Sequence, residues 1–328
     1  MTADNQAAIE VHGLFKRFVE VQAVSGVDFD VRKGELFGFL GPNGAGKTTT
    51  INMLTGLVRP DTGTIRIGGI DCSHNPKAAQ RLMGIVPDDS NLYPELTGFE
   101  NLCFCGALYG LRKAVRQARA RELLDTFSLV EAAGRKFGGY SKGMKRKLTI
   151  AAALIHDPEI LFLDEPTTGI DVAAARQIRQ LLAGLRGAGT TIFLTTHYIE
   201  EAERLCNRIA FIVSGRIVRT DPVTDLLRQT SGLHVMQITV SSRAPALCQA
   251  LAGAFPRLKC AAVSDVQIRV EAAEPVRVGE LVHFLEERGA EVTEARKIQP
   301  SLEEVFVRIT GIEAAAMKRE KEKAGGGS

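Results

Sequence analysis

Gly41-Pro42-Asn43-Gly44-Ala45-Gly46-Lys47-Thr48-Thr49 is preceded by a short run, Glu35 to Leu40, and followed by a helical pattern that opens at about Lys47. A brief, almost wholly apolar run of this kind reads as a buried strand of a parallel sheet. Glycine at positions 41, 44 and 46 lets the backbone turn its N–H groups inward without side-chain clash. The start of the following helix adds partial positive charge. The spacing G-x-x-x-x-G-K-[ST] between strand and helix therefore predicts a loop that wraps the phosphates of a nucleotide. In such a loop Lys47 reaches the β- and γ-phosphates, and the Thr48 hydroxyl is offered to Mg²⁺.

A second stretch, Ile160-Leu161-Phe162-Leu163-Asp164-Glu165-Pro166, carries the complementary chemistry. The apolar residues ahead of the acidic pair and the proline behind it set both carboxylates at the end of a buried strand. Open parallel sheets collect their ligands there. Asp164 is the candidate Mg²⁺ residue, and Glu165 the candidate general base that orients and deprotonates an attacking water.

Outward from these two stretches, short β-rich runs alternate with helical ones, which predicts an α/β fold. Ile9 to Phe15, Val27 to Val31 and Thr191 to Thr195 read as further strands. Between Thr97 and Ala153 the pattern is almost entirely helical and opens on Thr97-Gly98-Phe99-Glu100, a capping box. An inserted helical subdomain over about 95–153 is expected. After Gln229 the character changes. Val235 to Val240, Val266 to Val270 and Glu291 to Ile298 read as strands, Ala244 to Phe255 and Val278 to Arg288 as helices. A last helix starts at Pro300-Ser301, with Ser301 as cap and Glu304 in its first turn. The order β-α-β-β-α-β predicts a small ferredoxin-like α+β domain. The expected division is 1–229, 230–311 and a flexible tail, 312–328.

Composition narrows the function. With 24% charged residues and a net charge of only +3, the chain lacks the basic excess of a protein built to grip nucleic acid. No stretch approaches the roughly 20 apolar residues of a membrane span, and the N-terminus shows no basic-then-apolar secretory pattern. The cysteines (72, 103, 105, 206, 248 and 260) have no C-x-x-C spacing and read as scattered reduced thiols. The closing Ala-Gly-Gly-Gly-Ser reads as a linker, and the Lys/Arg-Glu alternation over 318–323 as a solvated end.

The ordered set of phosphate loop, Tyr140-Ser141-Lys142-Gly143-Met144, Leu163-Asp164-Glu165-Pro166 and His197 resembles the ATPase subunit of ABC transporters. The resemblance covers about residues 9–225. It implies a P-loop NTPase, with a RecA-like parallel core, an N-terminal antiparallel β part and the inserted helices. It also implies a head-to-tail dimer that binds ATP with Mg²⁺. Residues 41–49 of one copy would hold the phosphates, while Ser141 and Gly143 of the other copy face the γ-phosphate. By the same resemblance His197 is the switch histidine at the γ-phosphate. Asp171, in Thr168-Gly169-Ile170-Asp171, lines the dimer interface, and Phe18 stacks on adenine. The C-terminal part resembles the extension of ATPases serving ABC-2-type permeases. That implies an export motor working with a separate membrane permease at the cytoplasmic face, and a second copy of itself or a homologous ATPase. The segment from Asp88 to Phe104 would receive the permease.

Two positions depart from the pattern. Asp88 follows Val86-Pro87 where the family has a glutamine that meets Mg²⁺, and Lys142 replaces a glycine. A carboxylate still suits a hard cation. Two other classes stay open, a soluble ABC-type ATPase outside transport and a nucleotide-binding regulator without turnover. The chain has no second phosphate loop and no long heptad insert between Lys47 and Ser141, as other soluble ABC-type ATPases would.

Overall fold

The computed structural model describes residues 6–230, 234–241, 243–298 and 301–312. Most of the expected tail, from 313 on and including 318–323, lies outside the described residues, as does Pro300. The chain forms two compact units, one of the described residues up to Pro222 together with 309–312, and one of Val223–Arg308.

The first unit opens with β1 (Ala7–Phe18) and β2 (Val21–Arg32), an antiparallel pair. Then come β3 (Leu36–Leu40), α1 (Lys47–Leu54), β4 (Thr62–Ile67), β5 (Ile70–Asp71), α2 (Pro76–Gln80) and β6 (Met83–Val86). Helices α3 (Gly98–Leu108), α4 (Lys113–Thr126) and α5 (Lys142–Ala153) make up the expected insert. Thr97 caps α3 through Oγ1, which accepts from Glu100 N–H at 3.2 Å, while Glu100 accepts from Thr97 N–H at 2.8 Å. Strand β7 (Ile160–Asp164), α6 (Val172–Gly187), β8 (Thr191–Thr196), α7 (Ile199–Leu205), β9 (Arg208–Val213) and β10 (Arg216–Pro222) complete the unit.

Two sheets result. The antiparallel one runs β2-β1-β4-β5. The other runs β10-β9-β3-β8-β7-β6, parallel except for the edge strand β10. Phe29 of β2 joins them, packing on Phe37, Phe39 and Phe193 with ring centres 5.6–5.7 Å apart. Each such pair adds about 0.5–1.5 kcal/mol beyond burial alone. The core strands read LFGFL and ILFLD because both faces of the parallel sheet are covered, and every residue of both is buried.

The second unit begins with α8 (Val223–Thr230) and β11 (His234–Val240) and continues through α9 (Ala244–Ala254), β12 (Lys259–Ser264), β13 (Gln267–Ala272), α10 (Val278–Glu286) and β14 (Val292–Ile298). It closes in α11 (Leu302–Thr310). Its antiparallel sheet has the order β12-β13-β11-β14, the split β-α-β arrangement of a ferredoxin-like domain. Ile238, Leu251, Ile268, Leu281 and Leu285 fill its own core. Among the described residues no helix is long and apolar enough to cross a membrane.

Candidate active site

The strand order brings four chain segments to one edge of the parallel sheet. β3 ends at Leu40 and runs into the glycine loop. β8 lies beside it, with Thr196 level with Leu40, and β7 lies beyond, with Asp164 level with Thr195. β6 ends at Val86, level with Leu163, and delivers Pro87 and Asp88 to the same rim. Segments more than 150 residues apart in sequence thus meet at the carboxyl ends of the strands.

The glycines of the loop have steric reasons. A Cβ at Gly41 would strike the carbonyl oxygen of Ile212. Gly46, which caps α1 at φ 103°, would strike that of Ala23. Lys47 is the first residue of α1 and is only 5% exposed. Its Nζ donates to the carbonyl oxygens of Gly41 at 2.8 Å and Pro42 at 3.1 Å, and lies 3.2 Å from Glu165 Oε1.

Glu165 holds a left-handed backbone, φ 48°, uncommon outside glycine. The end of β8 sustains it, since Glu165 N–H donates to Thr195 O at 3.1 Å and Thr195 Oγ1 at 3.2 Å. Its Oε2 accepts from His197 Nδ1 and, at 2.8 Å, from the Thr168 hydroxyl. The carboxylate accepts, so the proton on Nδ1 follows. Burial pushes the Glu165 carboxyl up, but the His197 hydrogen bond and the Lys47 charge outweigh it and bring it down to about 2. The folded value lies below the ordinary 4.5, so this network stabilises the fold above that pH and loses its contribution as the pH falls from 4.5 towards 2. Urea unfolding of Glu165→Gln is expected to show a shallower loss of stability than the parent across that window. Identical slopes would contradict the network.

Asp164 is 3% exposed. Burial raises its carboxyl, partly offset by hydrogen bonds from the Thr195 and Thr48 hydroxyls. A hydroxyl and a carboxylate, both oxygen donors, joined in this way suit Mg²⁺, which takes few protein ligands and keeps its waters and phosphates. A bound cation would also reverse the upward push on Asp164. Asp88 sits at the rim under Arg146, a buried side chain of α5. The guanidinium donates to the carbonyl oxygens of Pro87 and Asp88 and lies 3.7 Å from Asp88 Oδ1.

The remaining predicted residues lie elsewhere in the same unit, all but Gly143 exposed. Phe18 ends β1 with 44% of its surface exposed, the Lys16 ammonium 5.3 Å from its ring centre. Ser141 caps α5, accepting from Met144 N–H at 3.3 Å, and Ser141 and Lys142 are exposed. Gly143 is buried against α6, where a Cβ would come within 2.6 Å of Ala174 Cβ. Asp171 caps α6, its Oδ1 accepting from Ala174 N–H at 2.8 Å. Asp88, Lys142, Arg146 and Thr168 share one hollow. Sequence reasoning missed Thr168, Thr195 and Arg146. The first two lie inside stretches already singled out, while nothing local marks Arg146.

The model for the ABC transporter family matches residues 24–168. The linearmycin resistance ATP-binding protein LnrL of Bacillus subtilis is 37% identical over 92% of this chain and 98% of its own length. The daunorubicin/doxorubicin resistance ATP-binding protein DrrA of Streptomyces peucetius is 38% identical, over 95% and 94% respectively. The Nod factor export ATP-binding protein I of Burkholderia lata is 38% identical, over 94% and 98%. Among solved structures, the ATP-binding subunit of an ABC transporter aligns with a TM-score of 0.62 at 32% identity, over 68% of this chain and 93% of that one. A dimeric post-hydrolysis state of the cassette MJ0796 bound to ADP and Pi aligns with a TM-score of 0.61 at 28% identity, over 66% and 98%. An alignment over 92% of the chain necessarily includes most of Val223–Arg308, so the second unit is shared with the export and resistance proteins.

Proposed function

This chain belongs to the ABC transporter family as an ATP-hydrolysing subunit of an export system, and we propose that hydrolysis takes place at the strand-end site with Glu165 as general base. The observation that carries this is the buried contact of Lys47, Glu165 and His197 at the mouth of the phosphate loop. The γ-phosphate of ATP brings anionic oxygens that compete with Glu165 for the Lys47 ammonium. Oε1 is then released, while His197 and Thr168 still hold Oε2, so the carboxylate stays aimed as it takes up the attacking water.

The other predicted residues take their places in the same scheme. Residues 41–49 wrap the phosphates, and the exposed Phe18 ring offers a face to adenine. Thr48 and Asp164 would hold Mg²⁺, which when bound would supply charge neutralisation at the β- and γ-phosphates. Asp88 stands at the rim as a further oxygen donor, oriented by Arg146. Ser141 and Gly143 of one copy close over the ATP of the other, at the exposed N-terminus of α5, and Asp171 lies between the two sites. The working unit is a head-to-tail dimer that closes on ATP and opens after hydrolysis. It drives export by a separate ABC-2-type permease at the cytoplasmic face of the membrane, with the permease seated on the segment from Asp88 to Phe104.

Co-expression with a candidate permease tests the transport part. Detergent extraction should bring both proteins down together, and ATP hydrolysis should stop on EDTA treatment and return with Mg²⁺. An ATPase that never leaves the soluble fraction beside any permease, or that ignores EDTA, would count against it.

A further inference from the structure

The mechanism makes no use of Glu201, yet it is among the most enclosed charged residues of the first unit, 3% exposed on α7. Its neighbours Glu200 and Glu203 are more exposed, so helical spacing alone turns this one inward. Neither carboxyl oxygen has a hydrogen-bond partner. Arg179 of α6 bears on it with its charge but forms no ion pair with it. The hydroxyls of Thr167 and Thr196 are near enough to act on it, though neither closes a full hydrogen bond. Those two threonines are telling. Thr167 follows Glu165-Pro166 and begins the loop to Asp171, and Thr196 immediately precedes His197. The Thr196 oxygen already accepts from Tyr198 N–H at 3.0 Å, which leaves its own proton free to donate.

Along the end of β8 the side chains alternate. Thr195 and His197 face the acidic pair, while Thr196 faces the opposite way, towards Glu201. We propose that Glu201 is a positioning residue for the hydrolysis reaction, its carboxyl group spanning Thr167 and Thr196 and so fixing His197 relative to the 167–171 loop. It does this as the neutral acid. An ionised carboxylate so enclosed and without an ion pair would be strongly disfavoured, and the Glu165 charge nearby disfavours it further. A neutral carboxyl can give one hydrogen bond and accept another, which suits a pair of hydroxyls. Small shifts of the loop would let it close on one threonine or both, carrying the movement of the interface loop to His197. The inference rests on the proposed role of Glu165 and His197.

The test is steady-state ATP hydrolysis by the parent chain, Glu201→Ala, Glu201→Gln and Thr167→Val, with KM and kcat separated. Glu201→Ala is expected to lower kcat about tenfold or more and leave KM within about threefold, since misplacement of a catalytic group acts on the chemical step. Glu201→Gln, neutral and of the same shape, should keep kcat within about threefold of the parent, a rescue that a requirement for negative charge would not allow. Thr167→Val, a change of similar volume, should lower kcat as Glu201→Ala does, and it decides the matter if the alanine variant does not fold. A parental kcat in both Glu201→Ala and Thr167→Val would overturn the proposal, as would Glu201→Gln falling as far as the alanine variant. A parent chain that binds ATP without hydrolysing it would instead remove the proposed role of Glu165, and this inference with it.

Discussion

Glu165→Gln is expected to lower ATP turnover by about 10²–10⁴-fold, the ordinary contribution of a general base, while ATP affinity stays close to that of the parent. The amide keeps the shape of the side chain and can still accept from Thr168 and His197. It cannot take a proton from water. Removing the charge also frees Lys47, now paired with Glu165 at 3.2 Å, for the phosphates. The variant should therefore accumulate as an ATP-bound dimer, visible as a doubling of mass by light scattering. Turnover near the parental rate would mean that another group is the base.

Lys47→Met is expected to have the largest effect on binding. The ammonium is the charged donor of the loop, and loss of a hydrogen bond to a charged group costs about 1.5–3 kcal/mol, or about 10–100-fold in affinity. Titration with a fluorescent ATP analogue measures this directly. Stability should fall as well, because Glu165 would lose its cation in a site where it is 6% exposed. Breaking a buried pair from one side costs about 3–5 kcal/mol. His197 and Thr168 still hold Glu165, so the lower end of that range is expected. The double variant Lys47→Met/Glu165→Gln should recover much of the lost stability while binding stays weak. Additive losses in the double variant would show that the two side chains do not depend on each other.

The parts of this site that sequence reveals are those whose chemistry is spelled out by neighbours in the chain. The glycine loop and Asp164-Glu165 declare themselves by spacing alone, because a strand, a sharp turn and a helix start must follow one another directly. Thr195 and Thr168 stay hidden because their roles come from β8 lying beside β7 and from the left-handed turn at Glu165. Arg146 reaches Pro87 and Asp88 across 59 and 58 residues and touches carbonyl oxygens, which carry no sequence signal. Glu201 sits in Glu200-Glu201-Ala202-Glu203, which reads as a solvated helix face until α7 is seen to bury one of the three acids. In the second unit the enumerated runs leave out β12 (Lys-Cys-Ala-Ala-Val-Ser), an edge strand exposed along most of its length and without alternation. The five runs that do show in the sequence spell only β-α-β-α-β, so the strand that completes the β-α-β-β-α-β order has no signal of its own.

Within one chain the glycine loop, Glu165 and His197 lie together, whereas Ser141 and Lys142 stand exposed at the head of α5. A site completed from two copies has a kinetic signature. The most direct measurement is phosphate release by the purified chain with Mg²⁺ and ATP, as a function of protein concentration. The expected result is a rate per protomer that rises with concentration and levels off as the dimer fills. A rate per protomer that stays constant while the protein remains monomeric, or no release at any concentration, would contradict the account.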